Sequence, residues 1–95
     1  MVKDQDTLRV EGSPTTRRIQ VRFFAVLREQ AGKSALDVET AAANPGTLYD
    51  ELQASHALTF PRHLLRVSVN ERYADMAAPL AAGDRVAFIP PVAGG

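Results

Sequence analysis

The fold follows from one stretch of the chain, residues 19–32, which reads Ile19-Gln20-Val21-Arg22-Phe23-Phe24-Ala25-Val26-Leu27-Arg28-Glu29-Gln30-Ala31-Gly32. Apolar residues at positions 19, 21 and 23 alternate with polar ones, which is the period-two pattern of a strand with one buried face. Residues 25–31 are good helix formers, and Gly32 is a typical stop at a helix C-terminus. The stretch therefore predicts a half-buried strand that leads into a short helix.

Beyond Gly32 the pattern predicts a second strand and then a longer helix. Apolar and acidic residues alternate in Leu36-Asp37-Val38-Glu39, which indicates the strand. The turn cluster Asn44-Pro45-Gly46 follows, and we predict Thr47 as the N-cap of a helix over residues 48–52 and beyond, with its carboxylates in the first turn. Pro61 prevents this helix from continuing.

The rest of the chain predicts two return strands. Residues 67–69 mark a third strand that ends in the turn Asn70-Glu71, and the turn at residues 81–84 precedes a final strand at residues 85–89. The order β-β-α-β-β favours an α+β fold of the β-grasp (ubiquitin-like) type, in which a mixed sheet of four to five strands wraps across one main helix. A ferredoxin-like fold needs a second full helix, which Pro79 in a short Ala-rich segment disfavours.

The C-terminal residues, Pro90-Pro91-Val92-Ala93-Gly94-Gly95, predict a projecting tail. Proline lacks a backbone donor and ends sheet pairing, whereas glycine can enter a cleft that is too narrow for other residues. Six extended residues reach roughly 20 Å. We expect the tail to be mobile in the free protein and its terminal carboxylate to be the working group. The predicted organisation is a flexible leader at 1–18, a domain at 19–89 and the tail at 90–95.

Composition excludes several classes of function. Eleven basic and eleven acidic residues give a net charge of zero, which argues against a nucleic-acid partner or an anionic membrane. The apolar runs are too short to cross a bilayer and no signal-peptide pattern is present, so we expect a cytoplasmic protein. The chain has no cysteine, which excludes disulfides, thiolate metal sites and cysteine nucleophiles.

The polar side chains do not form a recognisable active site. His56 and His63 have no carboxylate or cysteine at ligand spacing, so we expect solvated histidines and no metal. Helix capping explains Asp50-Glu51 better than paired-acid chemistry. No bound cofactor is expected. The remaining reactive group is the carboxylate of Gly95, which is inert until a partner activates it with ATP, most simply as an acyl-adenylate.

Two stretches, residues 21–32 and 83–95, resemble the small subunits of molybdopterin synthase, a sulfur-carrier family with a ubiquitin-like fold. The resemblance implies that the C-terminal glycine is adenylated and converted to a thiocarboxylate. It also implies that the tail then enters the large subunit and gives sulfur to cyclic pyranopterin monophosphate. Catalysis is expected on the large subunit, in an assembly of two small and two large chains, and an ATP-using activating enzyme is the second partner.

The resemblance also assigns residues. Gly95 would carry the sulfur, and the rest of the tail would line the partner's channel: Gly94, Ala93, Val92, Pro91 and Pro90. At the partner interface we expect Phe24, Arg28 and Ile89. Strand alternation supports two of these, because placing residues 19, 21, 23, 86 and 88 in the core leaves Phe24 and Ile89 on the opposite face. The alternative is that Phe24 folds under the short helix and that Ile89 is only a strand-end residue.

Three other functions share these features. A sulfur carrier for thiazole or amino-acid biosynthesis would have the same tail and the same activation chemistry. A protein modifier of the ubiquitin type would form isopeptide bonds with lysines. A plain interaction module would have an incidental tail, and removal of Gly94 and Gly95 would then change nothing.

Overall fold

A computed structural model describes residues 16–91 of the 95-residue chain. Its elements are β1 (Arg17–Phe23), α1 (Val26–Ala31), β2 (Ala35–Thr40), α2 (Pro45–His56), a 3₁₀ turn (Arg62–Leu64), β3 (Arg66–Val69), β4 (Arg72–Ala74) and β5 (Arg85–Ile89). The expectations for residues 1–15 and for Val92 to Gly95 lie outside the described residues.

The five strands form one mixed sheet in the order β2-β1-β5-β3-β4. Strands β1 and β5 run parallel, whereas the other neighbours are antiparallel. This confirms the predicted α+β, β-grasp architecture. The sequence pattern did not reveal β4 as a separate strand, because three residues are too few to show an alternation.

Strand β1 begins two residues earlier than the alternation from Ile19 suggested. Arg17 and Arg18 pair with Thr40 and Glu39 of β2, so backbone pairing extends the strand beyond its apolar part. The Arg17 guanidinium also donates to the Ala42 carbonyl at 2.7 Å. The predicted leader boundary at residue 18 therefore falls inside a strand.

The core lies between one face of the sheet and α2. Alternate residues of β1 and β5 point inward, namely Ile19, Val21, Phe23, Val86 and Phe88. Helix α2 contributes three large side chains, Leu48, Tyr49 and Leu52. Each fully buried side chain of this size stabilises the fold by about 1.5–3 kcal/mol. The rings of Tyr49 and Phe88 pack with centroids 5.1 Å apart.

The start of α2 differs from the prediction that Thr47 is its N-cap, and that prediction is wrong. The N-cap is Asn44, whose side-chain oxygen accepts a hydrogen bond from the Thr47 backbone N–H at 2.8 Å. Pro45 follows as the first helical residue, where its fixed φ suits the helix and its missing N–H costs nothing.

The predicted carboxylates of the first turn lie further along α2, because the helix starts at Pro45. Asp50 accepts a hydrogen bond from Arg62 at 2.7 Å, and Glu51 accepts one from the Thr40 hydroxyl at 2.6 Å. Both carboxylates therefore tie the helix to neighbouring segments and do not cap its N-terminus.

The helix stop at Gly32 and the turn at Asn70-Glu71 are confirmed, whereas Pro45 and Gly46 of the predicted turn cluster belong to the first turn of α2. Gly32 ends α1 in the left-handed conformation with φ 77°, and its N–H donates to the Arg28 carbonyl at 2.9 Å. Asn70 and Glu71 connect β3 to β4 with φ values of 54° and 68°. No helix separates β4 from β5. Within residues 16–91, none of the helices has the length and apolarity to span a membrane.

Candidate functional site

The predicted interface residues surround one groove at the end of the sheet where strands β1 and β5 finish. Its volume is about 720 Å³, and its lining comprises Phe24, Ala25, Val26, Arg28, Phe60, Ile89, Pro90 and Pro91. Five of the predicted site residues thus come together: Phe24, Arg28, Ile89, Pro90 and Pro91. The other four, Val92 to Gly95, lie outside the described residues. We refer to this feature as the tail groove.

The pairing of β1 with β5 positions the two main apolar side chains of the tail groove. The two strands run parallel with Phe23 beside Phe88, so both strands end at the same end of the sheet. Phe23 and Phe88 are buried in the core, and the next residues, Phe24 and Ile89, lie beside the tail groove. Phe24 is 39% exposed and Ile89 is half-buried. Phe24 therefore does not fold under the short helix.

A strained turn holds Phe24 in this position. Ala25 has φ 53° and ψ −127°, a conformation that is ordinarily restricted to glycine. The Leu27 N–H donates to the Phe24 carbonyl at 3.1 Å and closes the turn. This strain could not be predicted from the sequence, because an alanine before a helix is compatible with many conformations.

Three lining residues were not predicted, Ala25, Val26 and Phe60, and Phe60 is the largest of them. It lies in the loop after α2, and its carbonyl accepts hydrogen bonds from the Tyr49 hydroxyl at 2.8 Å and from Gln53 at 3.4 Å. Burial raises the pKa of Tyr49, so its hydroxyl remains a donor at neutral pH. An aromatic residue between polar Thr59 and Pro61 was the available signal.

The point where the chain leaves the sheet is also more specific than predicted. We expected Pro90 and Pro91 to project together, but Pro90 is buried and Pro91 is exposed. Burial of the Pro90 ring fixes the direction in which the chain departs. Any chain that continues from Pro91 therefore starts beside the tail groove.

The tail groove is suited to docking and not to side-chain catalysis. Among the described lining residues the one charged side chain is Arg28, and a guanidinium donates hydrogen bonds but has no acceptor atom. Elsewhere, the Nδ1 atom of His56 lies 2.8 Å from the Ser55 hydroxyl. In the described part of the chain, no three or more His, Asp or Glu side chains form a group that could hold a metal.

Comparison with known proteins agrees with this geometry. A model of the ThiS family matches residues 21–95. The molybdopterin synthase sulfur carrier subunit of Escherichia coli (strain K12) is 36% identical over 80 residues, which cover 81% of this chain and 99% of that protein.

Two solved structures are also similar. The small archaeal modifier protein 1 of H. volcanii superposes with a TM-score of 0.68 at 28% identity, covering 80% of this chain and 99% of that one. A chain from the complex of subunits 1 and 2 of molybdopterin-converting factor from Helicobacter pylori 26695 has a TM-score of 0.59 at 25% identity, covering 82% and 99%.

Proposed function

The chain belongs to the ThiS family, and from this premise we propose that it is the sulfur carrier subunit of a molybdopterin synthase. The observation that carries the proposal is the position of the tail groove. An apolar surface without a catalytic side chain lies where the chain leaves the sheet towards Gly94 and Gly95. This arrangement presents a terminal group to another protein and leaves the chemistry to that protein.

We propose that the reactive group is the carboxyl group of Gly95. A carboxylate is a poor electrophile, so an activating enzyme would first join it to the α-phosphate of ATP and release pyrophosphate. Attack by a sulfur donor on the resulting acyl-adenylate would displace AMP and leave a thiocarboxylate on Gly95. The absence of cysteine from the chain is consistent with sulfur held on this backbone carboxyl.

The acceptor would be cyclic pyranopterin monophosphate, held by the large subunit of the synthase. A relative in Helicobacter pylori has been solved as a complex of subunits 1 and 2 of molybdopterin-converting factor, which supports a partner of this kind. We propose that the large subunit covers the tail groove and takes residues 92–95 into a channel. An assembly of two small and two large chains is part of the proposal.

Intact-mass spectrometry tests the activation step. The protein is incubated with ATP, the activating enzyme of the same organism and a sulfur donor, and each component is omitted in turn. We expect a mass increase equal to the exchange of one oxygen for one sulfur, which disappears without ATP. A chain that gains no sulfur in the complete mixture, while a known carrier gains it, would contradict the proposal.

A protein modifier of the ubiquitin type is the second candidate. The similarity to the small archaeal modifier protein 1 favours it, because that protein shares the fold at 28% identity. The two functions differ in what attacks the activated carboxyl group, a lysine amine or a sulfur donor. Isopeptide-linked conjugates in a cell extract would indicate the modifier. Dithiolene formation with the large synthase subunit would indicate the sulfur carrier, and transfer only to a thiazole synthase would indicate another sulfur pathway.

A further inference from the structure

The sheet has a second exposed feature on its outer face, the face turned away from α2. Strand register places Arg22, Ala87, Ser68 and Tyr73 side by side across β1, β5, β3 and β4. In the next row, Ile89 of β5 lies beside Arg66 of β3. Residues directly opposite each other in neighbouring strands share a face, so all six side chains belong to the outer face.

Two arginine–aromatic cation–π contacts lie on this face of the sheet. The Arg22 guanidinium lies 5.9 Å from the ring centroid of Phe24, and that of Arg66 lies 5.7 Å from the ring centroid of Tyr73. Both rings are accessible, with Phe24 39% and Tyr73 71% exposed. The small side chains of Ala87 and Ser68 leave a shallow trough, which Arg22, Glu71 and Ile89 also line. Arg66 lines an adjoining hollow together with Tyr73. We call the trough and this hollow together the arginine trough.

The spacing of the two arginines follows from sheet geometry. Strands β1 and β3 are separated by β5, and Arg66 lies one row further along the strands than Arg22. Neighbouring strands are about 4.8 Å apart and alternate residues about 6.8 Å apart, so the two Cα atoms are about 12 Å apart.

The other arginines of the outer face already have carboxylate partners. Arg85 donates to both carboxylate oxygens of Glu71, at 3.0 and 2.9 Å. Arg18 lies 3.5 Å from Glu39. Among residues 16–91, by contrast, neither Arg22 nor Arg66 has a carboxylate within 4.0 Å. Within the described domain Arg22 and Arg66 therefore make no direct ion pair, and the carboxylate that lines the trough, Glu71, is held by Arg85.

A guanidinium beside an aromatic ring can still receive a carboxylate. The cation–π contact restrains the side chain, while its N–H groups remain available for bidentate hydrogen bonds. Less side-chain entropy is lost on binding than for a freely rotating arginine. Two such groups beside an isoleucine therefore match a protein surface that has an apolar side chain and two carboxylates.

We propose that the arginine trough is the specificity-determining part of the docking surface for the large synthase subunit, and that Arg22 and Arg66 each bind a carboxylate of that subunit. The proposal rests on the proposed function. It follows from continuity, because Phe24 and Ile89 line both the trough and the tail groove. A protein that receives the tail must therefore cover the edge of the trough. Because Arg22 and Arg66 make no ion pair within residues 16–91, they favour an acidic surface on that protein.

Charge reversal tests the proposal. The double variant Arg22→Glu/Arg66→Glu is compared with wild type in calorimetric titrations against the large subunit at low and at high salt. We expect the affinity of the double variant to fall by roughly 100-fold at low salt, since reversing a charge at an interface places like charges together. Salt should weaken wild-type binding but strengthen binding of the double variant, because it screens attraction in the first case and repulsion in the second. Arg22→Lys/Arg66→Lys keeps the charges but loses the planar fork, and its affinity should be intermediate.

Arg18→Glu is the matched control, because Arg18 lies on β1 and the same face but at the far end and paired with Glu39. An unchanged affinity of the double variant, or an equal loss for Arg18→Glu, would overturn the proposal. A double variant that loses binding to the activating enzyme but keeps its affinity for the large subunit would also overturn it. The wild-type protein with a C-terminal thiocarboxylate is assayed in parallel for dithiolene formation. If the wild type binds the large subunit tightly but transfers no sulfur, the proposed function is overturned. If the wild type transfers sulfur and the double variant binds as tightly as the wild type, only the proposal about the trough is overturned.

Discussion

Ala25 is the residue whose conformation departs furthest from what its side chain favours. A non-glycine residue at φ 53° and ψ −127° costs on the order of 1–3 kcal/mol. Ala25→Gly should therefore stabilise the domain by about 1 kcal/mol, after allowing for the greater chain entropy of glycine when unfolded. Thermal denaturation would show a rise of about 4–8 °C.

Ala54→Gly is the control for this prediction. Ala54 is exposed within α2 and has no unusual dihedral, so glycine there should lower stability by roughly 0.5–1 kcal/mol. Substitutions of the same type should thus have opposite signs. If Ala25→Gly destabilises as much as Ala54→Gly, the turn is not strained in the free protein.

Gly46 explains why the first turn of α2 contains a glycine at a buried position. A Cβ atom there would overlap Nη2 of Arg62 and lie 2.8 Å from its Cζ. Arg62 can move, but it would lose its 2.7 Å contact with Asp50, an exposed pair that contributes at most about 1 kcal/mol. Alanine gains a similar amount from helix propensity. The single variant Gly46→Ala should therefore change stability by less than about 1 kcal/mol.

The Arg62→Ala background separates these two effects. Without the guanidinium, Gly46→Ala should stabilise the domain by about 0.5–1 kcal/mol, because only the propensity gain remains. Urea denaturation of the four proteins in this double-mutant cycle measures the coupling. Identical effects of Gly46→Ala in the two backgrounds would show that Arg62 does not restrict this position.

Helices and strands were predictable to the extent that their own residues define them. The alternation in β1 and the turn residues Asn70-Glu71 predicted elements that the structure contains. The start of α2 was placed wrongly, because both Asn44 and Thr47 are good caps and only the position of Pro45 in the first turn distinguishes them. Strand β4 is defined by its pairing with β3, and its three residues show no alternating pattern.

The β3–β4 hairpin has a pH-dependent link to β5. Hydrogen bonding to Arg85, with its positive charge, lowers the pKa of Glu71 below its usual value. A lowered folded-state pKa stabilises the fold above the unfolded pKa, and this contribution is lost as the pH falls through the folded value. Glu71→Gln should thus be less stable than wild type at neutral pH and equal to it once the wild-type carboxylate is protonated. Thermal melts between neutral pH and about pH 2 measure this, and a constant difference across the range would contradict the link.

The functional surface was only partly predictable. Alternation in two strands predicted that Phe24 and Ile89 would lie together. They do, because β1 and β5 are parallel neighbours that finish at the same end of the sheet. Phe60 comes from a loop that has no periodic pattern, and its position depends on the Tyr49 hydroxyl. The arginine trough depends on register across four strands, which local sequence does not specify.

Ile89→Lys tests whether the tail groove is a partner interface. In the complex, a lysine charge at this half-buried position would lose its water without gaining a carboxylate partner. We therefore expect affinity for the large subunit to fall by roughly 100-fold or more. Leu64→Lys is the control, because Leu64 is 49% exposed and does not line the groove. Unchanged binding of Ile89→Lys, or unfolding of the free domain, would rule Ile89 out as an interface residue.

The separation of folding from chemistry can be tested by removing Gly94 and Gly95. The core and the sheet pairing of the described domain lie within residues 17–89, so the truncated protein should match the wild-type stability within about 0.5 kcal/mol. Sulfur loading should nevertheless be abolished, because the carboxyl group that would be adenylated is no longer at Gly95. Binding to the large subunit should weaken but persist, since the tail groove and the arginine trough remain. Dithiolene formation by the truncated protein would exclude Gly95 as the sulfur carrier, even if the rest of the interface were correct.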